Sequence, residues 1–305
     1  MLKHETLTVR ELVPGDIASL RRLLETSEYT YARFAEDELA RMLATRPGVG
    51  TFSTPPGPLG RIGRGSLLGF LLASSVVPPS AWVGGFGVTW SQGAHFAEHL
   101  DLLLPAVERP LAALGTRMLY YSGSDTEADW LKPALEARGF QMVTLLRAYD
   151  KEGTEIPMEG NQRVRVRPFT AADVRGVLDV EHACFDQLWH YDAEGFLEVA
   201  ATYPYFVVAE DERGIAGYQF NAVDFRGGYL VRIAVHPRAE GQGIGARLMA
   251  EAIRYFKREQ AGRILLNTEE RNNRAHRLYE RFGFHLAPQR GFVLGRPIAP
   301  PVAAP

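Results

Sequence analysis

Three glycines, Gly241, Gly243 and Gly245, stand between a run of β-branched and aromatic residues and an amphipathic stretch. Glycine has no side chain, so bare backbone N–H groups can converge on a ligand at such a turn. If a helix begins at about Ala246, its N-terminus also carries roughly half a positive charge. The spacing therefore predicts a binding site for a phosphate or pyrophosphate group.

The flanking segments have the patterns of a strand and a helix. Residues 229–235 read Tyr-Leu-Val-Arg-Ile-Ala-Val and end at His236-Pro237, which favours a strand. The next segment repeats apolar residues at helical spacing, with charged residues between them. These apolar residues are Leu248, Met249, Ala252, Ile253 and Phe256.

The glycines alone leave the ligand open. Gly241-x-Gly243-x-x-Ala246 fits the dinucleotide fingerprint literally, but that fingerprint needs glycines directly at the end of the strand. A Walker loop ends in Gly-Lys-Ser/Thr, whereas this loop continues with Gly-Ala-Arg. A glycine turn with a purely structural role is a further alternative.

A second helix is predicted after a short apolar strand at residues 263–268. Ala275, Leu278, Tyr279 and Phe282 stand at i, i+3, i+4 and i+7. Asn272 or Asn273 can cap the N-terminus, and Gly283 can supply the left-handed stop. Tyr279 therefore lies on the apolar face of the predicted helix.

Together, the strand, the Gly-x-Gly loop and the segment from Asn272 to Phe284 resemble the GCN5-related N-acetyltransferase (GNAT) family. The resemblance implies an α/β (α+β) fold of two tandem acyl-CoA N-acyltransferase-like domains, each with a mixed, mostly antiparallel sheet flanked by helices. It implies acetyl-CoA as the co-substrate, without a metal ion. The strand backbone would pair with pantetheine and the loop amides would hold the pyrophosphate. The residues are Ile233, Ala234 and Val235 in the strand, and Gly241, Gln242, Gly243, Ile244, Gly245 and Ala246 in the loop.

The resemblance also implies roles for the second helix. Asn272 would bond to pantetheine or an ordered water, Ala275 belongs to the same cofactor-binding motif, and Tyr279 would protonate the departing CoA thiolate. Such a phenol is chemically coherent with direct attack of an amine on a thioester. A half-buried Tyr279 whose hydroxyl is satisfied by a neighbour is the alternative. One departure is Glu240, where the family usually has Gln or Arg.

The general base is less evident. Many family members place a Glu on one of two central strands, where this chain has Tyr229 and Asn267. Glu269 would lie on the same face as Asn267 if the strand continues, so it is the candidate base. An exposed loop carboxylate is the alternative, and a water chain would need no strong base. Further candidates are Asp224, His190 and Glu181.

The acceptor side is expected between residues 173 and 205, where two helices would be joined by an aromatic connection. Cys184-Phe185 followed by Trp189 resembles the corresponding stretch of enzymes that acetylate protein N-terminal α-amines. Core packing by Phe185 and Trp189 is the alternative. Cys184 is the single cysteine, so no disulfide can form within the chain, and a small buried side chain is expected.

The first half of the chain repeats the order of the second. Residues 8–16, 66–70 and 134–140 echo residues 165–173, 214–218 and 278–284, which indicates an internal duplication. Leu135 and Ala128 stand where Tyr279 and Asn272 do, so the first copy is expected to be degenerate. Alternatively, it binds another ligand near Trp82 and Trp90. The predicted organisation is a degenerate domain at 1–150, a linker at 151–162, an active domain at 163–295 and a proline-rich tail at 296–305.

Composition favours a soluble, cytoplasmic enzyme. The net charge of −2, from 34 basic and 36 acidic residues, gives no general attraction to nucleic acid or an anionic membrane. No apolar run reaches the length of a bilayer span, and the N-terminus lacks the apolar core of a signal peptide.

The sequence thus predicts transfer of acetyl from acetyl-CoA to a protein N-terminal α-amine or a small-molecule amine. One alternative is a CoA-binding sensor or scaffold without turnover, suggested by the missing strand Glu. Another is a relative of the tandem mycothiol synthases, which share the two-half layout. The acceptor and the oligomeric state stay open.

Overall fold

The computed structural model describes residues 7–34, 36–53, 65–125 and 128–300. Its contacts divide the chain into two compact units. The first comprises Met1–Tyr121, Pro133–Gln141 and Gly295–Pro305, and the second comprises Ser122–Lys132 and Met142–Leu294.

The first unit contains a sheet in the order β1-β3-β4-β5-β6, with β2 paired to β5. The strands are β1 (Leu7–Glu11), β2 (Thr30–Ala32), β3 (Gly48–Ser53), β4 (Leu67–Val77), β5 (Ser80–Val88) and β6 (Met118–Gly123). The helices are α1 (Ile17–Thr26), α2 (Leu39–Thr45), α3 (Phe96–Ala113) and α4 (Lys132–Glu136). All these strand pairs are antiparallel except β5 with β6.

The second unit contains a sheet in the order β13-β7-β12-β11-β10-β9-β8. The strands are β7 (Gln141–Glu152), β8 (Arg165–Pro168), β9 (Tyr205–Asp211), β10 (Gly214–Asp224), β11 (Gly227–Val235), β12 (Arg263–Glu269) and β13 (His285–Pro297). The helices are α5 (Val174–Cys184), α6 (Ala193–Thr202), α7 (Ile244–Arg258) and α8 (Asn273–Arg281). β11 and β12 are parallel, whereas β7–β12, β8–β9, β9–β10 and β10–β11 are antiparallel.

Helices cover both faces of the sheet in the second unit. On one face, α5 and α6 pack with Phe206 and Val208 of β9. On the other, α7 packs with Val207 and Ala209, which alternate with them along the same strand. The predicted mixed, mostly antiparallel sheet flanked by helices is confirmed.

The same helix entry occurs once in each unit. Asp16 accepts two hydrogen bonds from the Arg10 guanidinium and one from the backbone N–H of Val13. Asp173 is bound in the same way by Arg167, at 2.7 and 2.8 Å, and by the N–H of Thr170. This repeated geometry agrees with the predicted duplication.

The strand β7 extends from one predicted domain into the linker. It pairs with β12 from Glu152 opposite Arg263 to Leu146 opposite Glu269. By their contacts, residues 142–152 therefore belong with the second unit. The boundaries at 150 and 162 stay predictions from the sequence repeat.

The predicted tail begins inside β13. Ile298 is buried and donates its N–H to the carbonyl of Arg117 at 2.8 Å. Residues 301–305 of the tail lie outside the described residues.

Among the described residues, no helix is both long enough and apolar enough to cross a bilayer.

Candidate functional site

The glycine loop joins β11 to α7, as the sequence pattern predicts. Gly241 and Gly243 have φ angles of 72° and 76°, in the left-handed region that strains other residues. The helix begins at Ile244, slightly before the predicted start. Its first-turn N–H groups, including those of Gly245 and Ala246, lack intrahelical acceptors and point out of the helix end. The structure thus has the glycine turn and helix start on which the anion-binding prediction rests, and the binding itself stays a prediction.

The two central strands separate several residues before this loop begins. β11 pairs with β12 at Gly228–Ile264 and Tyr229–Leu265, and the described residues contain no further pairs between them. β11 nevertheless continues to Val235. Its last residues, Ile233, Ala234 and Val235, pair on the other side with β10. One edge of β11 is therefore open along residues 233–235, the segment that is predicted to pair with pantetheine.

The open strand edge, the loop and α8 are close together. A methyl group built at Gly245 would lie 3.5 Å from Leu278 of α8 and 3.7 Å from Val235 of β11. These are ordinary van der Waals distances, so three elements converge around this glycine. A ligand that contacts the loop can also reach the strand edge and α8.

Glu240, the residue that departs from the family pattern, has a compensating partner. Its carboxylate forms an ion pair with Arg274 in the first turn of α8. A lone carboxylate would repel a phosphate at the loop, whereas the paired guanidinium offsets its charge. Glu240 is therefore compatible with an anion site.

Asn272 caps α8, which resolves the choice between Asn272 and Asn273. Its side-chain oxygen accepts the N–H of Ala275 at 3.1 Å. This bond commits Oδ1 to the helix and leaves the amide Nδ2 as the atom for any ligand contact. Gly283 has the predicted left-handed conformation after the helix, with φ of 79°. The ligand roles of Asn272 and Ala275 stay predictions.

Tyr279 lies in the core beneath the end of β12. Its side chain is buried, and its ring centroid is 5.7 Å from that of Tyr149 and 6.1 Å from that of Phe284. Burial raises the pKa of Tyr279 above its usual value, and a hydrogen bond with the Thr268 side chain opposes this shift only in part. The phenol is therefore protonated at neutral pH, which is the form that can donate a proton.

A second polar contact supports this ring. The Tyr149 hydroxyl lies 2.7 Å from Nδ1 of His276, and Nε2 of His276 lies 3.1 Å from the carbonyl of Glu270. Because Nε2 faces a carbonyl, it carries the proton, and Nδ1 accepts from Tyr149. This arrangement fixes the aromatic neighbour of Tyr279 and was not predicted from the sequence.

Glu269 is on the strand, as its candidate role requires. β12 continues to Glu269, which pairs with Leu146 of β7. Its side chain alternates with that of Thr268, so it lies on the opposite face of the sheet from Tyr279. Within the described part of the chain its carboxylate makes no hydrogen bond or ion pair. The structure leaves it available, and its role as the base stays a prediction.

The other candidate bases are engaged elsewhere. Asp224 binds Arg226 in the β10–β11 hairpin. His190 bonds through Nε2 to the Phe185 carbonyl at 2.9 Å. The fully buried Glu181 accepts the N–H of Tyr191 at 2.9 Å and pairs with two further side chains. We therefore retain Glu269 as the candidate base.

Glu181 forms the centre of a buried network beneath the predicted acceptor connection. Its carboxylate pairs with Arg232 of β11 at 3.1 Å and accepts the hydroxyl of Tyr218 of β10. The Arg232 guanidinium lies 3.9 Å from the ring centre of Phe185 and donates to the Trp189 carbonyl at 2.8 Å. The Phe185 ring, which also packs against the core, and the backbone of Trp189 are thus held to β11 by the same guanidinium.

Cys184 is close to the end of β11. Its thiol donates to the Val235 carbonyl at 3.2 Å. Burial, reinforced by the charge of Glu181, raises the pKa of Cys184 to about 11. The sulfur is therefore a protonated thiol at neutral pH, which does not suit a nucleophile.

Several contacts at the site escaped the sequence analysis. They involve Asn161, Arg274, Thr268, Tyr149 and His276. Most of these residues lie far along the chain from their partners, and Asn161 sits on a polar segment without periodicity. The polar segment at 151–162 reads only as a linker by composition.

Comparison with known proteins extends these observations. The profile of the Acetyltransferase (GNAT) family matches residues 174–284, which run from α5 to the end of the α8 motif. This range contains the glycine loop, both central strands and Tyr279.

Two named relatives have different acceptors. One is a candidate alanine N-acetyltransferase of ribosomal protein bS18 in Bacillus subtilis (strain 168), 26% identical over 121 residues, covering 40% of this chain and 80% of that protein. The other is a mycothiol acetyltransferase of Amycolatopsis mediterranei (strain U-32), 28% identical over 212 residues, covering 66% of this chain and 62% of that protein. The match thus spans less than two thirds of the mycothiol acetyltransferase.

Solved structures show the same fold over nearly the whole chain. A GCN5-related N-acetyltransferase from Sphaerobacter thermophilus aligns with a TM-score of 0.60 at 16% identity, covering 97% of each chain. A tandem GNAT protein from the clavulanic acid biosynthesis pathway aligns with a TM-score of 0.64 at 11% identity, covering 97% of this chain and all of that one. The profile match and the shared tandem fold agree with the loop, strand and helix geometry, and residues 174–284 in the second unit form a domain of the Acetyltransferase (GNAT) family.

Proposed function

We propose that the second unit transfers an acetyl group from acetyl-CoA to an amine by direct attack in a ternary complex. The observation that carries this proposal is the open edge of β11 leading into the glycine loop. An extended pantetheine arm can bond to unpaired strand amides, and a pyrophosphate suits a helix N-terminus.

The residues present fit this co-substrate. A Cβ at Gly241 would meet no atom within 4 Å, so the loop has space on its outer side. The Glu240–Arg274 ion pair offsets the one negative charge in the loop. The assigned contacts are therefore Ile233, Ala234 and Val235 for the arm and Gly241 to Ala246 for the pyrophosphate.

Acetyl-CoA would supply the reactive thioester, and the chain would supply position and protons. The unpaired N–H groups of β11 are the available donors for charge that develops on the carbonyl oxygen. Tyr279 holds a proton on its phenolic oxygen for the leaving thiolate, because burial keeps it protonated. Glu269, on the opposite face of the sheet, is the carboxylate that would take the proton of the amine.

The first unit is proposed to be a degenerate copy. Leu135 is buried at the position of Tyr279 in the repeat and cannot donate a proton. A Cβ at Gly93, near the start of α3, would meet the Tyr29 ring at 2.1 Å, so side-chain packing occupies the space beside this turn. Both observations favour the second unit as the site of turnover.

The acceptor is proposed to be a protein N-terminal α-amine or a small-molecule amine. The named relatives include one candidate of the first kind and several mycothiol acetyltransferases. The network around Phe185 and Trp189 borders the face on which Glu269 lies, so the acceptor would enter there. A cytoplasmic location follows as part of the same proposal.

Titration calorimetry with acetyl-CoA tests the donor, and an amine panel scored for release of free CoA tests the transfer. The panel should contain alanine-terminated peptides and mycothiol lacking its acetyl group. Binding of acetyl-CoA, together with release of free CoA in the presence of at least one amine, supports the proposal. Binding of acetyl-CoA without release of free CoA on any amine favours the sensor alternative. That alternative is motivated by Tyr229 and Asn267, which stand on the strands where many family members have a Glu. Absence of binding contradicts both.

A further inference from the structure

The segment between β7 and β8 lies along the helices of the second unit. Ile156 and Met158 pack against the core formed by α7, α8 and the sheet. Glu159 forms an ion pair with Arg254 of α7. We call residues 156–162 the strap, because this segment is attached to α7 at successive points although its composition resembles a linker.

The strap meets the start of α7 at Gly160. This residue has φ of 67°, and a Cβ built on it would lie 2.2 Å from the backbone nitrogen of Arg247. Only glycine can therefore approach the first turn of α7 so closely. The close approach brings the next residue, Asn161, against the glycine loop.

Asn161 bonds to two consecutive carbonyl groups of the loop. Its side-chain Nδ2 donates to the carbonyl of Gln242 at 2.9 Å, and its backbone N–H donates to the carbonyl of Gly243 at 3.1 Å. Its side-chain oxygen accepts the N–H of Arg163 at 2.9 Å, which fixes the orientation of the amide. The backbone N–H of the residue and both ends of its side-chain amide thus have hydrogen-bond partners.

These two bonds hold the direction of the loop peptides, together with the N–H of Arg247, which also donates to the Gly243 carbonyl at 3.1 Å. In a planar trans peptide, the C=O and the following N–H point in opposite directions. Because the carbonyls of Gln242 and Gly243 point at Asn161, the N–H groups of Gly243 and Ile244 point away from the strap. Those N–H groups belong to the surface that would bind the pyrophosphate.

Resting on the proposed function, we infer that Asn161 is a positioning residue for the pyrophosphate loop. It orients the two peptide groups before the ligand arrives, so that binding does not require their reorganisation. Asn161 therefore takes part in cosubstrate binding without touching the reacting atoms.

The test compares Asn161→Ala and Asn161→Asp with the matched control Gln162→Glu. The first variant removes the side-chain donor, and the second also places a carboxylate against the Gln242 carbonyl. The control makes the same change from amide to acid one residue away, where the side chain bonds to the Glu159 carbonyl of the strap itself. We measure CoA affinity by calorimetry and the melting temperature without ligand.

Loss of one hydrogen bond predicts CoA binding about fivefold weaker in Asn161→Ala, with a melting temperature lowered by no more than about 2–4 °C. Asn161→Asp should weaken binding further, and Gln162→Glu should bind as the wild type does. With an amine from the panel, kcat/KM should fall for acetyl-CoA and stay unchanged for S-acetylpantetheine, which lacks the pyrophosphate. At saturating acetyl-CoA, kcat should change little while KM rises.

Each other outcome is decisive. If the wild type binds CoA and the Asn161 variants bind it with equal affinity, the positioning role is overturned and the proposed function stays intact. Equal losses for acetyl-CoA and S-acetylpantetheine would also overturn it, because they indicate general disruption. Absence of CoA binding by the wild type would overturn both proposals. If Asn161→Asp does not fold, Asn161→Ala provides the same comparison.

Discussion

Replacing Tyr279 by phenylalanine removes one hydroxyl group and leaves the ring in its place. The contacts with Tyr149 and Phe284, at centroid distances of 5.7 and 6.1 Å, are those of the ring and persist in the variant. The lost bond with Thr268 should lower the free energy of unfolding by about 1 kcal/mol. Turnover should fall by about 10²-fold or more, because the leaving thiolate loses its proton donor. The affinity for acetyl-CoA should be nearly unchanged.

The assay is release of free CoA at saturating acetyl-CoA and amine, followed across pH. Tyr149→Phe is the matched control, since it removes a hydroxyl from the neighbouring buried ring, and its turnover should stay close to that of the wild type. Burial raises the pKa of Tyr279 above 10, so the wild type should show no loss of rate from this group between pH 7 and 10. Unchanged turnover in Tyr279→Phe would refute the assignment. Equal losses in both variants would indicate that packing, rather than proton donation, is responsible.

Four further predictions concern the base, the loop and two buried groups. Glu269→Gln should lower turnover by about 10²-fold without weakening acetyl-CoA binding, and unchanged turnover would assign the base elsewhere. Gly243→Ala places a side chain at φ of 76°, so it should cost about 1–2 kcal/mol in unfolding free energy and weaken CoA binding measured by calorimetry. The Arg167 guanidinium lowers the pKa of Asp173 from 3.8 to about 2, so about 2 kcal/mol of stability, fully present above pH 4, should disappear towards pH 2. Asp173→Asn should lack this dependence in acid titrations followed by circular dichroism. Burial lowers the pKa of His99 from 6.5 to about 4, so about 3 kcal/mol should be lost as pH falls from 6.5 to 4, and His99→Asn should remove that slope in denaturant unfolding.

The local parts of the site could be predicted because they depend on short spacings. The left-handed stop at Gly283, a cap at Asn272 or Asn273 and the buried stripe of α7 each follow from residues within one or two turns of each other. The order of these elements along the chain sufficed to indicate the family. Strand β12 also continues to Glu269, as the candidate base required.

The remaining features depend on contacts between distant residues. Asn161 reaches the loop across 81 positions, and Tyr149 reaches His276 across 127. Neither contact leaves a periodic pattern in the sequence, and a polar segment such as the strap has the composition of a flexible linker. Arg274 likewise explains Glu240 only after folding brings α8 to the loop. The pairing of β7 with β12 could not be predicted from the sequence repeat, because matching segments of sequence do not reveal which strands pair.

Acetyl-CoA is proposed to bind in the second unit along β11 and the glycine loop, and a crystal structure of the protein with CoA is the decisive test. We expect pyrophosphate oxygens within hydrogen-bond distance of the N–H groups of Gly243, Ile244 and Ala246, with the pantetheine arm beside residues 233–235. A CoA molecule bound in the first unit instead, or one whose pyrophosphate lies away from this loop, would refute this assignment.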